Sequence, residues 1–256
     1  MGILKNEIEN DYFGTLEVVA KTGFKEIEIG RRLANTQHSR DEMKAKLDSL
    51  GLRVLTMHIK IEDLKNDFED LIEEATFCGA KYLDVVWSPF ETLDWILETC
   101  EFLDAAALRA AEHGFVLTYH NHDHEVNRFF DVGASDADGS IGASTSKRGI
   151  EILVENTKYL KFLVDTCWIK VGGLEPQEFL KTVRGRCPIL HVKDIRDVSI
   201  RDSFIEVGDG IIDFPAVIAE AKAGGCTHFV VEQDRAYLLS PFESIRRSYD
   251  YLARIL

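Results

Sequence analysis

The run GFVLTYHNH, residues 114–122, decides how this chain is read. A glycine closes what precedes it, an apolar stretch of strand length follows, and two histidines stand at alternate positions where the stretch ends. Upstream, residues 91–113 have the period of a long helix. Before that helix, KYLDVVW (81–87) reads as another strand.

The same alternation runs outward in both directions. Strands are expected at FKEIEIG (24–30), LRVLTMH (52–58), LKFLVDT (160–166), ILHVKD (189–194) and HFVVEQD (228–234). Helices are expected between them. In SRDEMKAKLDSL (39–50), Ser39 caps the start, Glu42 completes a capping box and Gly51 ends the helix. Others are expected over residues 67–78, from 150 to about 159, after Pro176, over 214–223, and from 241 onward. A strand–helix repeat of ~30 residues implies parallel strands. Eight such units in ~250 residues describe a (β/α)8 TIM barrel. Only MGIL precedes the polar stretch 5–11, so the barrel is expected with a truncated first strand. A doubly wound sheet fits less well, because no glycine-rich phosphate loop follows any strand. DVGASDADGSIGASTSKRG (131–149) lacks apolar periodicity and reads as a long mobile loop. No linker divides the chain, so residues 1–256 are taken as a single domain.

Composition narrows the function. The 256 residues are 45% hydrophobic, enough for a sizeable core, and carry a formal net charge of −14. That charge argues against nucleic acid and against anionic membranes, both of which attract basic patches. The five cysteines are scattered and form no CxxC pair, which reads as reduced, cytoplasmic usage. No apolar run approaches the roughly 18 residues of a membrane span.

In a β/α barrel the active site lies at the C-terminal ends of the strands. The polar residues at those ends are Glu28, His58, His120 with His122, Asp165, His191 with Lys193, and Glu232 with Asp234. Isolated buried charges are costly, so convergence on one barrel mouth explains them together. Strand parity sends His120 and His122 to one side and Tyr119 and Asn121 to the other. Asp165, His191 and Glu232, with one of those histidines, form a mixed carboxylate and imidazole set. Such a set suits a divalent ion such as Mn²⁺, Zn²⁺, Co²⁺ or Fe²⁺. Trp168 offers a ring on which a sugar could stack, Glu28 and His58 could bind substrate hydroxyls, and Asp234 could orient a ligand. His124, beyond the strand, reads as solvated.

YHNHDHEV (119–126), LVDTCWIKVGG (163–173), LHVKD (190–194), EVGDGIIDFPAVIAEAKAGG (206–225) and VVEQD (230–234) occur in an order and spacing that resemble the sugar phosphate isomerase/epimerase group of the xylose-isomerase-like TIM-barrel superfamily. GTLEVVAKTGFKEIEIG (14–30) extends the resemblance over nearly the whole chain. It implies one divalent metal, Mg²⁺ included among the candidates, held by a Glu, an Asp, a His and a Glu from the last four strands. Three of these fall on Asp165, His191 and Glu232, and the first falls on His120, which is not Glu. Glu125 could supply the missing carboxylate if the chain curls back after the strand. The resemblance also implies a small sugar or polyol substrate and leaves a homodimer open. The expected activity is a metal-dependent isomerase or epimerase that abstracts a proton next to a carbonyl. Glu232 would be the base, with His122, Lys193 and Glu125 available for proton transfer or oxyanion stabilisation.

Two alternatives stand beside it. YHNH, HVKD and VGDGIIDF also resemble inosose dehydratase, which implies a lyase acting on a keto-inositol or keto-sugar. A non-catalytic sugar binder would keep Trp168 and the polar rim without the metal set. DNA repair endonucleases of the endonuclease IV type share the superfamily, but the net charge of −14 argues against a DNA-binding face.

Overall fold

The computed structural model describes residues 2–31, 37–133 and 145–256. Seven strands form one parallel sheet in chain order: β1 (Glu26–Gly30), β2 (Arg53–Ile59), β3 (Tyr82–Val85), β4 (Val116–His120), β5 (Lys161–Asp165), β6 (Ile189–Val192) and β7 (His228–Val231). Each overlaps a stretch where the apolar runs placed a strand, and β2 runs one residue past its stretch, to Ile59. The sheet curls into a half-barrel, and among the described residues β1 and β7 do not pair with each other. The expected first-strand stub is not a strand. Residues Gly2–Leu4 make a 3₁₀ turn that runs into helices Lys5–Asn10 and Tyr12–Thr22. Those helices and the C-terminal helix Pro241–Ile255 border an apolar groove of about 360 Å³ between β1 and β7.

Helix boundaries follow local chemistry. Ser39 caps Arg40–Leu50 through a capping box with Glu42, and Gly51 ends it at a φ of 65°, a left-handed conformation that glycine adopts without penalty. Ser240 and Glu243 repeat the box at Pro241–Ile255. The loop expected at 131–149 has structured ends. Phe129–Val132 pairs antiparallel with Thr145–Arg148, and residues 134–144 lie outside the described set. Within the VGDG stretch, the Asp194 carboxylate accepts from the backbone N–H of Gly208 and Gly210 at 3.0 Å each. A Cβ at Gly210 would stand 2.2 Å from that carboxylate, so the turn requires glycine.

Parity along the strands divides the barrel interior. Leu55, Tyr82, Leu163 and Ile189 form an apolar plug near the N-terminal ends. Two residues on from three of them come Asp84, Asp165 and His191, so the same face turns polar toward the C-terminal ends. The outer face packs on the helices in one continuous core. Among the described residues, no helix is long and apolar enough to cross a membrane.

Candidate active site

Asp165 ends β5 and caps the short helix Thr166–Val171. Its Oδ1 accepts from the Trp168 backbone N–H at 3.0 Å. Its own N–H donates to Asn121 Oδ1 at 3.0 Å, while Oδ2 has no hydrogen-bond partner. Burial raises the Asp165 carboxyl to about 6, against the opposing pull of Lys193 and His191.

His191 on β6 is buried, and its Nδ1, also unpartnered, lies 3.5 Å from Glu232 Oε2 and 3.8 Å from Asp165 Oδ2. Its other nitrogen, Nε2, lies 2.7 Å from Glu28 Oε2. Burial alone would lower its pKa, but Glu28 and Glu232 outweigh burial and lift it to about 9. Glu232, just past β7, is held at about 2, because His191 and Lys193 overcome its desolvation.

His120 ends β4 with its ring centroid 4.8 Å from that of His191 and its Nδ1 unpartnered. Burial and the neighbouring His191, His122 and Lys193 hold it neutral, well below the usual histidine range. Ligand atoms of His120, Asp165 and His191 lie within 4.8 Å of one another. Buried polar atoms without partners are rare in folded proteins, and each residue of this cluster carries one. The electrostatics there already hold a positive charge on His191. A divalent ion fits this set, with nitrogen and oxygen donors of the kind Zn²⁺, Mn²⁺, Co²⁺ and Fe²⁺ accept.

The other expected site residues fall at different depths. His122 lies just beyond the end of β4. Its ring is 4.7 Å from His120 and 5.8 Å from Trp168, with Nδ1 unpartnered. Burial and Lys193 lower its pKa to about 4. Lys193 is 1% exposed. Its Nζ lies 2.7 Å from Asp234, 3.7 Å from Glu232 and 3.9 Å from Asp165, and these carboxylates raise its pKa against burial. The same ammonium sits 4.6 Å from the centroid of the Trp168 ring, whose neighbour Phe204 meets it edge-on. Trp168 is therefore a buried wall of the site, carrying Lys193 on its face.

Glu28 and His58 form a second group of charges beside His191, with His58 Nε2 3.3 Å from Glu28 Oε2. Glu125 is turned away from the cluster. It accepts from Tyr119 Oη and from the His122 backbone N–H, both at 2.8 Å, and is fully buried on the other side of β4. His124 is half-buried, its Nε2 2.7 Å from the Ser88 carbonyl. Trp87 is 55% exposed beside it, a rim residue.

Sequence reasoning passed over Asn121, whose side chain braces the Asp165 backbone, and Asp84, buried with Thr118 donating to it at 2.5 Å. Parity excluded Asn121, and a lone aspartate in KYLDVVW offered no signal.

A profile of the family described as xylose isomerase-like TIM barrel matches residues 16–255. The chain belongs to that family. This family member is 25% identical over 284 residues to the inosose dehydratase of Geobacillus kaustophilus (strain HTA426), covering 94% of this chain and 86% of that protein. A sugar phosphate isomerase/epimerase from Parabacteroides distasonis ATCC 8503 superposes with a TM-score of 0.79 at 23% identity, over 98% of this chain and 92% of that one. The IolI protein, whose crystal structure holds a zinc atom, superposes at 0.67 with 19% identity, over 94% and 91% of the two chains.

Proposed function

We propose that the chain is a metal-dependent isomerase or epimerase of a sugar or keto-sugar, working by proton abstraction next to a carbonyl. One observation carries this reading. His120, His191 and Asp165, each with an unpartnered buried atom, bring ligand atoms within 4.8 Å of one another beside Glu232. These four residues would hold the ion, and the zinc found in the IolI protein is of the class such donors accept.

Glu232 stays ionised near neutrality and is positioned to take the proton from carbon. Held that low, it is a weak base and needs a carbon of raised acidity. A divalent ion held by His120, Asp165, His191 and Glu232 would supply that acidity as a Lewis acid. Lys193 keeps its charge and can donate to the oxygen that becomes anionic. His122 is neutral with a free ring nitrogen at the mouth, suited to moving a proton between oxygens. Trp168 and Phe204 wall that side against water. The mouth cations Lys193 and Arg201 are paired with Asp234 and Asp123, which favours a neutral sugar or polyol over a phosphorylated one.

A lyase is the second reading, favoured by His120 standing where the family pattern wants a glutamate. Without an opposed carboxylate, a proton taken by Glu232 is not readily returned to the other face. Loss of a β-hydroxyl is then the competing outcome, and the similarity to an inosose dehydratase supports it.

The test is incubation with Mn²⁺ and a panel of ketoses and keto-inositols in D₂O, followed by NMR. Deuterium incorporation at the carbon beside the carbonyl, abolished in Glu232→Gln, is the expected result. Loss of water with growth of an enone absorbance would assign the lyase. Neither change on any substrate, from protein shown to bind Mn²⁺, would sink both readings.

A further inference from the structure

We infer that Glu28 is a positioning residue for the metal centre: it binds His191 Nε2 and thereby aims Nδ1 at Asp165 and Glu232. The inference rests on the metal reading above. Glu28 comes from the first strand of the sheet and His191 from the sixth, 163 residues apart in sequence, yet Glu28 Oε2 and His191 Nε2 are separated by 2.7 Å. Both side chains are buried, at 5% and 1% exposure, so no water competes for the contact.

The chemistry of the two groups fixes the direction of the bond. An ionised carboxylate only accepts hydrogen bonds, so His191 must carry a proton on Nε2. In the neutral ring, the lone pair then resides on Nδ1. That atom has no partner and faces Asp165 Oδ2 and Glu232 Oε2. A flip of the ring would put Cε1–H against Glu28 and Cδ2 against Asp165 and Glu232, losing the Nε2 contact. His58 contributes a second contact, its Nε2 lying 3.3 Å from the same Oε2. Glu28 Oε2 is taken up by His191 and His58, so Glu28 acts on the cluster through His191. A carboxylate behind a ligating histidine both selects the tautomer and raises the basicity of the ligating nitrogen, and its removal usually costs 10–100-fold in metal affinity.

The separation of 2.7 Å also argues against a second ion between Glu28 and His191. Two donors around one ion stand farther apart than a hydrogen bond, roughly 3.3 Å for ligands at 2.0–2.1 Å in tetrahedral array.

The experiment uses the full chain stripped of metal, with Zn²⁺ as the probe. Affinity is measured by competition with a chromophoric chelator for the parent, Glu28→Gln and Glu28→Leu. Glu28→Gln keeps an acceptor oxygen, and Glu28→Leu keeps bulk alone. The expected result is a weakening of about 10–100-fold in Glu28→Leu, with substantial recovery in Glu28→Gln. Ring ¹⁵N spectra of the zinc-loaded parent should show His191 bound through Nδ1 with its proton on Nε2, and that signature should be lost in Glu28→Leu. A purely space-filling Glu28 would alter the melting temperature and leave both readouts unmoved. Equal affinity and unchanged ring signals in a folded Glu28→Leu would overturn the positioning role and spare the metal site. A parent that binds no Zn²⁺ would overturn the metal reading, and this inference with it.

Discussion

The two faces of strand β4 differ by one residue and by everything else. On the outer face, Tyr119 bonds to Ser88 at 2.6 Å and to Glu125 at 2.8 Å, and Glu125 also takes the His122 N–H. On the inner face, His120 Nδ1, His191 Nδ1 and Asp165 Oδ2 are equally buried and have no partner. Each unmet buried polar group costs about 1–3 kcal/mol. A fold that pairs the Tyr119–Glu125 network and leaves three neighbouring buried atoms unmet is suited to binding something at those atoms. On the proposed reading the outer network is framework and the inner cluster is the site.

The largest expected effect lies on the inner face. Saturating Zn²⁺ should raise the melting temperature of the metal-free parent, since a ligand that binds the folded state stabilises it. Asp165→Asn should abolish that rise and cut metal-dependent turnover by at least about 100-fold, more than is typical for losing an outer partner alone. Calorimetry with and without Zn²⁺ checks this. A full shift in Asp165→Asn would break the contrast between the faces, since a cluster that binds without Asp165 owes nothing to its free oxygen.

Next in size is a pH effect at Asp84. Burial raises this carboxyl from 3.8 to about 6 in the folded protein. Between those values the folded state holds a proton that the unfolded state has released, so stability falls as pH rises through the window. The penalty is complete above about 6 and approaches 3 kcal/mol. Asp84→Asn lacks it, so the variant should gain on the parent as pH goes from 4 to 7, and urea titrations at unit steps would show the gap opening. Parallel curves would mean that Asp84 is relieved by a partner, and that the inner face is less deprived than its geometry indicates.

How much of this was legible in sequence depends on the range of each interaction. Ser39 and Gly51 directly flank the helix they bound, and the Ser39–Glu42 box spans three residues, so that helix was read to the residue. The inward aim of His120 followed from strand parity. The strand, read as 115–122, is Val116–His120, one residue shorter at its start and two at its end, and His122 reaches the mouth from just beyond it. Gly2–Leu4 was read as extended because a barrel needs a first strand. The chain instead coils there and leaves β1 and β7 unjoined, a tertiary outcome that local propensity does not encode. Thr166–Val171 and Asp123–Asn127 escaped notice because five or six residues carry too little periodicity. The Glu28–His191 contact spans 163 residues, and nothing in either neighbourhood announces the other.

Glu125 shows the same limit and supports the smallest prediction. From sequence it is a carboxylate a few residues past a histidine-rich strand, available to the chemistry. In the folded chain the turn Asp123–Asn127 carries it back under β4, where burial raises its pKa and Tyr119 and the His122 N–H occupy its oxygens. Tyr119→Phe removes one of those donors and leaves Ser88 short of a partner, so it should cost about 2 kcal/mol of stability. Zinc affinity should be unchanged, because the hydroxyl does not face the metal cluster. Denaturant melts paired with a Zn²⁺ titration separate the two quantities. If Tyr119→Phe is as stable as the parent but loses zinc, Glu125 is drawn into the inner face by the ion, and the division between framework and site fails at this strand.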